Sequence, residues 1–463
     1  MVTKRTFLAG TVSLIGSVSG LGRIGACSAS DAIASPTEME VQIEAEVARL
    51  RLTADGAETE ILRFAGSEPL RVIRLRKGQA GAFRIQNRLS EPMSLQWHGM
   101  RGRNGLDDPL TRQATSIPAG ASQTVRFTPQ DSGTSWFHPN PGTSDQTARG
   151  LRGVLIVDEL DPPVVDEDVV VFLADWSLDH QNKIQFGSAA GAEPDSTVFT
   201  VAGFPAPREF VYPPRSRVRL RLINGSSQRV MLVACDGARP MIIAIDGQPS
   251  ELFEPIRDTV PIGPGARFDY LVDLPATAGM NVRLTLKGTE RVAGVLEPDR
   301  PLMLIRTAGE PKSPKPSFAP LTPNPALPPQ IPLEASKRAE LVIDGKTGGG
   351  AASALTWTVN GVSGVTLPKY PVLKVKQGDA VPLGFTNKSG LTVPLRVHGQ
   401  AMRLLHTKDD GWEPYWRDSV LLPPASRQHV AFVADIPGQW LIESAFNHQN
   451  IAGLRCWFEV VRA

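Results

Sequence analysis

Cysteine is scarce: three residues in a chain of 463, Cys27, Cys235 and Cys456. Cys27 lies in an N-terminal leader, so two thiols remain, too few and too far apart for a disulfide framework. Both stand in apolar runs and read as buried thiols, not metal ligands. Charge of one sign is also lacking. Lys and Arg number 49 against 47 Asp and Glu, a net charge of +2, so there is no electrostatic case for nucleic acid. Extended helical periodicity is absent, and the one leading apolar run is too short to span a bilayer. The 41% apolar content excludes a disordered chain.

What is present is turn chemistry and short alternation. With 42 Gly, 40 Pro and many period-two runs, the composition specifies an all-β chain. Its length allows two to four domains. Lys4-Arg5-Thr6-Phe7-Leu8, an uncharged run through Gly22, and Ile24-Gly25-Ala26-Cys27 describe an export signal. The Lys-Arg pair resembles a weakened twin-arginine signal, and the last four residues a lipoprotein box with Cys27 as the lipidated residue. Plain cleavage near Ala34 is the alternative. Nine prolines between Pro311 and Pro332 rule out regular structure there and mark an extended linker.

The stretch from Leu95 to Val157 organises the chain. His98 and His138 each end an alternating, strand-like run beside an aromatic residue, Trp97 and Phe137. Neighbouring strands could bring the two imidazoles together, and paired imidazoles often hold a metal. Two histidines alone are more often ordinary strand-end polar groups. The wider pattern shifts that balance: Gln96-Trp97-His98-Gly99, Trp136-Phe137-His138-Pro139-Asn140 and Gly150-Leu151-Arg152-Gly153. It resembles the first domain of multicopper oxidases, which write the two motifs as HxHG and WxHxH. Each motif has one histidine replaced, by Gln96 and by Asn140.

The resemblance covers nearly all of the chain after the leader and implies three cupredoxin-like Greek-key β-sandwich domains. The expected divisions are 1–34 for the signal, 38–160, 165–308 and 336–463 for the sandwiches, and 309–335 for the linker. The middle domain of such proteins carries no copper. The family's terminal motifs correspond to Val393-Pro394-Leu395-Arg396-Val397-His398-Gly399 and to Glu443 through Leu454. On this correspondence the electron-entry copper falls on Val393, Ser444 and Gln449, with Leu454 axial. One copper of the oxygen-reducing cluster falls on Gln96 and Arg396. A second falls on His98, His138 and Ala445, and a third on Asn140, His398 and Glu443.

The implied function follows from these replacements. No thiolate or imidazole remains at the electron-entry positions, and a +2 ion about 4 Å from Arg396 would be opposed by roughly 8 kcal/mol at a dielectric of 20. The expectation is a non-catalytic exported scaffold with degenerate copper centres, like the copper-free members associated with cell division and envelope integrity. It would be monomeric in the periplasm, soluble or anchored at Cys27, with envelope or division proteins as partners. No resident cofactor is expected. The rival expectation is a copper-binding oxidoreductase using His98, His138 and His398. A buried ion pair between Arg396 and Glu443, with Gln96 and Asn140 as further hydrogen-bonding partners, is expected to fill the emptied cluster.

Overall fold

The computed structural model describes residues 38–463, apart from 55, 103–115, 140–144, 186–195, 227–228, 289–296, 335, 348–354, 407–410 and 446–452. The export signal, Cys27, Asn140 and Gln449 lie outside the described residues. Strands form where the sequence alternates. Arg71–Arg76 buries Ile73 and Leu75 while Arg74 and Arg76 face out, and Gly78, at φ +80°, turns the chain back into Gly81–Asn87.

Six sheets pair into three sandwiches. In the first, one sheet runs Glu58–Phe64, Met39–Arg51, Gly81–Asn87, Ser122–Phe127. Its partner runs Arg71–Arg76, Gly153–Asp158, Gly133–His138, Gln96–His98. Ile43, Phe64 and Phe83 from one sheet meet Ile73, Trp97 and Leu155 from the other in a single core. The second pairs a seven-stranded sheet, centred on Arg217–Asn224 and Arg267–Asp273, with a five-stranded one. The third pairs two five-stranded sheets, one of them ordered Leu373–Lys376, Arg455–Val461, Gly438–Ser444, Val393–Val397, Ser419–Leu422.

All three repeat one topological device. Each sandwich carries two parallel ladders among antiparallel ones: Met39–Arg51 on Gly81–Asn87 and Arg71–Arg76 on Gly153–Asp158 in the first, with counterparts in the second and third. Parallel neighbours need crossover connections rather than hairpins. The chain therefore winds between sheets, as a Greek-key sandwich does. The expected all-β, three-sandwich architecture is the one observed.

The sandwiches join through both apolar and polar contacts. Trp136, Ile156, Phe172, Trp176 and Ile223 form a cluster spanning the first and second. Arg219 and Arg221, each about 1% exposed, reach from the second sandwich to Glu159 and Thr134 of the first, while Asp269 accepts from both guanidiniums. The proline-rich segment is strapped down along its length. Lys312 and Lys315 pair with Asp166, Phe318 lies 4.3 Å under the Arg217 guanidinium, and Asn324 donates to Asp131 and Gln248. Cys235 and Cys456 are both buried free thiols. Among the described residues no helix is long and apolar enough to cross a membrane.

Candidate metal centre

Gln96–His98 and Gly133–His138 pair antiparallel, with Gln96 opposite His138 and His98 opposite Trp136. This register sets the two imidazoles diagonally across one sheet face. His98 Nδ1 lies 3.3 Å from His138 Nε2. The far side of the His138 ring is anchored, because its Nδ1 stands 2.7 Å from the Pro139 carbonyl oxygen. A carbonyl only accepts, so Nδ1 carries the proton and Nε2 presents its lone pair toward His98. Trp136 stacks on the same ring with centroids 4.0 Å apart.

His98 has one nitrogen left over. Its Nε2 is buried with no hydrogen-bond partner among the described residues, and the ring proton can sit there and leave Nδ1 as a lone pair facing His138. Burial drives the His98 pKa well below 6.5, and the positive charges of Arg396 and Arg267 push it the same way. The ring is therefore neutral near pH 7, the form in which imidazole binds a metal.

The third sandwich brings His398, Arg396 and Glu443 to the same cavity, whose volume is about 40 Å³. That is room for a metal ion and a water or two. Gln96 of the first sandwich stands 3.3 Å from His398 Nδ1, and His398 Nε2 stands 3.0 Å from Glu443 Oε1. With the Gln96 amide donating and the Glu443 carboxylate accepting, both ring nitrogens of His398 are engaged. Sequence correspondence divided these residues between two metals, whereas the structure links Gln96, His398 and Glu443 in one chain.

The expected Arg396–Glu443 ion pair is not the pairing that forms. The two residues are register partners on adjacent antiparallel strands. Yet Glu443 turns to His398, and Arg396 reaches to 4.0 Å from Asp418 Oδ2. Asp418 is a buried carboxylate already held by Arg267, and nothing in the sequence placed it beside Arg396.

At the electron-entry positions Val393 and Leu454 are buried in the apolar core of the third sandwich. Ser444 follows them, its N–H donating to the Leu454 carbonyl at 3.0 Å. Ala445 lines the cavity and offers no donor side chain. Asn140 and Gln449 fall outside the described residues.

The second sandwich also closes the site, a role the sequence did not assign to it. Pro264, Gly265, Gly225 and Ser226 line the cavity. Gly265 has φ +79°, and a Cβ there would stand 2.4 Å from His98 Cε1. Only glycine lets the backbone approach the ring so closely. Ile262-Gly263-Pro264-Gly265 carries the glycine and proline of a turn, and its contact with His98 comes only from the docking of the two sandwiches.

Three sequence-family models, each described as multicopper oxidase, match residues 46–161, 167–281 and 339–462. Together they span most of the chain and cover one sandwich each. The chain belongs to the multicopper oxidase family. Among its relatives is Multicopper oxidase MmcO of Mycobacterium tuberculosis, 28% identical over 87% of this chain and 84% of that protein. Iron transport multicopper oxidase FET3 of Gibberella zeae is 24% identical over 89% and 75%. Laccase-1 of Cryptococcus neoformans is 27% identical, and the chain spans only 42% of its length. A multi-copper oxidase from Pseudomonas Thermotolerans shares the fold, with a TM-score of 0.77 at 24% identity over 92% of this chain and 100% of that one. Family membership corrects one expectation. A chain matched throughout by multicopper oxidase models cannot be read as having no cofactor on the strength of replaced ligands alone, and copper is the metal this family brings to the site.

Proposed function

We propose that this chain is an exported copper-binding member of the multicopper oxidase family that holds copper at one reduced interdomain site, on His98 and His138. It does not carry out four-copper reduction of dioxygen. The observation that carries the reading is the convergence of His98 Nδ1 and His138 Nε2 at 3.3 Å. Two nitrogens on one tetrahedral ion, each at about 2.05 Å from it, stand about 3.3 Å apart. The Pro139 carbonyl orients His138 as outer-shell acceptors orient metal-bound imidazoles. Copper there would supply a Lewis acid and a one-electron couple.

The remaining residues restrict what the site does. His398, held between Gln96 and Glu443, stands across the cavity as a group that can hold or pass a proton. The Arg396 cation opposes a second ion beside it. Val393, Ser444 and Leu454 offer no soft ligand for electron entry. The test is metal analysis and electron paramagnetic resonance on copper-loaded protein. One copper per chain with hyperfine coupling to two nitrogens is expected, without oxygen uptake on phenolic or metal-ion reductants. Four coppers with oxygen consumption, or no retained copper, would sink the reading.

A second reading is favoured by the packing at the electron-entry position, where Val393 and Leu454 belong to the continuous core. On that reading the three-sandwich body serves as a periplasmic scaffold for an envelope or division protein, monomeric by itself, and soluble or held at the membrane through Cys27. Capture on the tagged chain from envelope fractions tests it. Recovery of no protein above an untagged control counts against it.

A further inference from the structure

A second, larger cavity among the described residues lies away from the imidazoles, in the seam between the second and third sandwiches. It measures about 240 Å³. Its walls are apolar, with Val260, Phe268 and Leu421 among them, and Phe253 stacks on Tyr415 at its edge with centroids 5.4 Å apart. None of Val393, Ser444 and Leu454 lines it, although Pro394, next to Val393 on the strand, does.

Two polar atoms on its lining lack partners. Arg417 Nε and Gln428 Oε1 are both buried without a hydrogen bond among the described residues. The rest of the Arg417 side chain is committed to Glu413 and to the Tyr415 ring. A buried donor and a buried acceptor left open cost free energy unless a ligand or water meets them. The mouth carries two further irregularities. Ile256 is 82% exposed, and the next two residues, Arg257 and Asp258, hold left-handed backbone at φ +55° and +57°. Consecutive non-glycine residues in that region are strained, and such strain gathers at ligand clamps.

We infer that this seam is a binding site for a small, neutral, ring-shaped amphiphile. A dry cavity of about 150 Å³ accepts benzene, so this one takes a body of about ten non-hydrogen atoms, a fused bicycle. The ligand carries one acceptor for the Arg417 Nε–H and one N–H donor for Gln428 Oε1. Charge is excluded because Asp246, the one carboxylate on the lining, is already paired with Arg267 and accepts from the Ser419 hydroxyl at 2.7 Å. Binding here would bridge the second and third sandwiches beside the Asp246–Ser419 joint.

The test uses 2-quinolinone, a bicyclic lactam of that size, and naphthalene as its apolar counterpart, titrated calorimetrically into the full chain. We expect 2-quinolinone to bind at least tenfold tighter than naphthalene. Gln428→Leu should weaken 2-quinolinone at least tenfold and leave naphthalene unchanged, and Leu421→Trp should abolish both. Should Leu421→Trp fail to fold, Gln428→Leu decides alone, since it keeps the cavity's shape. Equal binding of the two compounds, an unchanged Gln428→Leu affinity, or no heat up to millimolar 2-quinolinone overturns the inference.

Discussion

Arg267 and Asp418 close the joint between the second and third sandwiches through a two-point ion pair, Nη1 to Oδ1 at 3.0 Å and Nη2 to Oδ2 at 2.9 Å. Asp246 completes the joint, accepting from the backbone N–H of Asp418 and of Ser419. The Arg267 guanidinium is fully buried, and a Cβ on Gly99 of the first sandwich would stand 2.3 Å from its Nη2. All three sandwiches meet at this one side chain.

Breaking that pair should be costly. Arg267→Ala leaves Asp418 buried without its bidentate partner, and a loss of about 3–5 kcal/mol in urea-unfolding stability is expected. Ser419→Ala removes one hydrogen bond to a carboxylate and should cost about 1.5–3 kcal/mol. An Arg267→Ala midpoint equal to that of the parent chain would show that Asp418 finds another cation.

Copper-loaded protein should lack the intense visible band of a copper thiolate. Ser444 stands at the thiolate position, and Val393 replaces an imidazole. Neither remaining thiol can substitute: Cys456 is buried within Arg455–Val461, and burial pushes its pKa up to about 12. Absorption spectra before and after loading check this, and an intense blue band after loading would refute it.

Copper retention should depend unequally on the three histidines. His138→Ala removes a ligand nitrogen whose orientation is set by Pro139, and should lower copper affinity by more than the roughly 10- to 100-fold that losing an outer-shell partner costs. His398→Ala should change it less than His138→Ala, because both His398 nitrogens are already engaged. Since burial and the Arg396 charge hold the His98 pKa well below 6.5, that ligand stays neutral as the pH falls past 6.5. Competition titrations with a chelator at several pH values separate these outcomes.

Acid should loosen the proline-rich strap. Burial raises the Asp166 pKa, but hydrogen bonds from Lys315, Lys312 and the Arg217 N–H outweigh it and hold the carboxyl at about 2. A folded-state pKa below the ordinary 3.8 means that this contribution is present above pH 3.8 and is lost as the pH falls through about 2. Asp166→Asn should reproduce the loosening at neutral pH, read as faster proteolysis between Pro311 and Pro332. An unchanged cleavage rate would place the strap's stability on Asn324 and on Leu321, which is buried against Ile243 and Leu271, instead.

Much of the architecture was legible because it is local. Alternation in Arg71–Arg76 reports strand and face directly, whereas alternation in Arg217–Asn224 reports the strand alone, all eight of its residues being buried. The pairing of His98 with His138 was legible as well, since both residues end strands of one short segment. Arg217, Arg219 and Arg221 alternate with apolar residues along that strand. That two of these guanidiniums are buried against the first sandwich follows only from the docking of separate sheets.

The sequence by itself determined an all-β chain of three repeated sandwiches, two imidazoles at neighbouring strand ends, and the absence of a thiolate at Ser444. Tertiary structure alone decided that Glu443 pairs with His398 rather than Arg396, that Gly265 closes over His98, and that Asp418 joins Arg267. The reason is range. Periodicity records whether a side chain faces in or out, over a few residues of one strand. Hydrogen bonds and ion pairs discriminate over fractions of an ångström between residues hundreds of positions apart. Register set Arg396 opposite Glu443, and only the approach of His398 to Glu443 and of Asp418 to Arg396 in the folded chain separated the two.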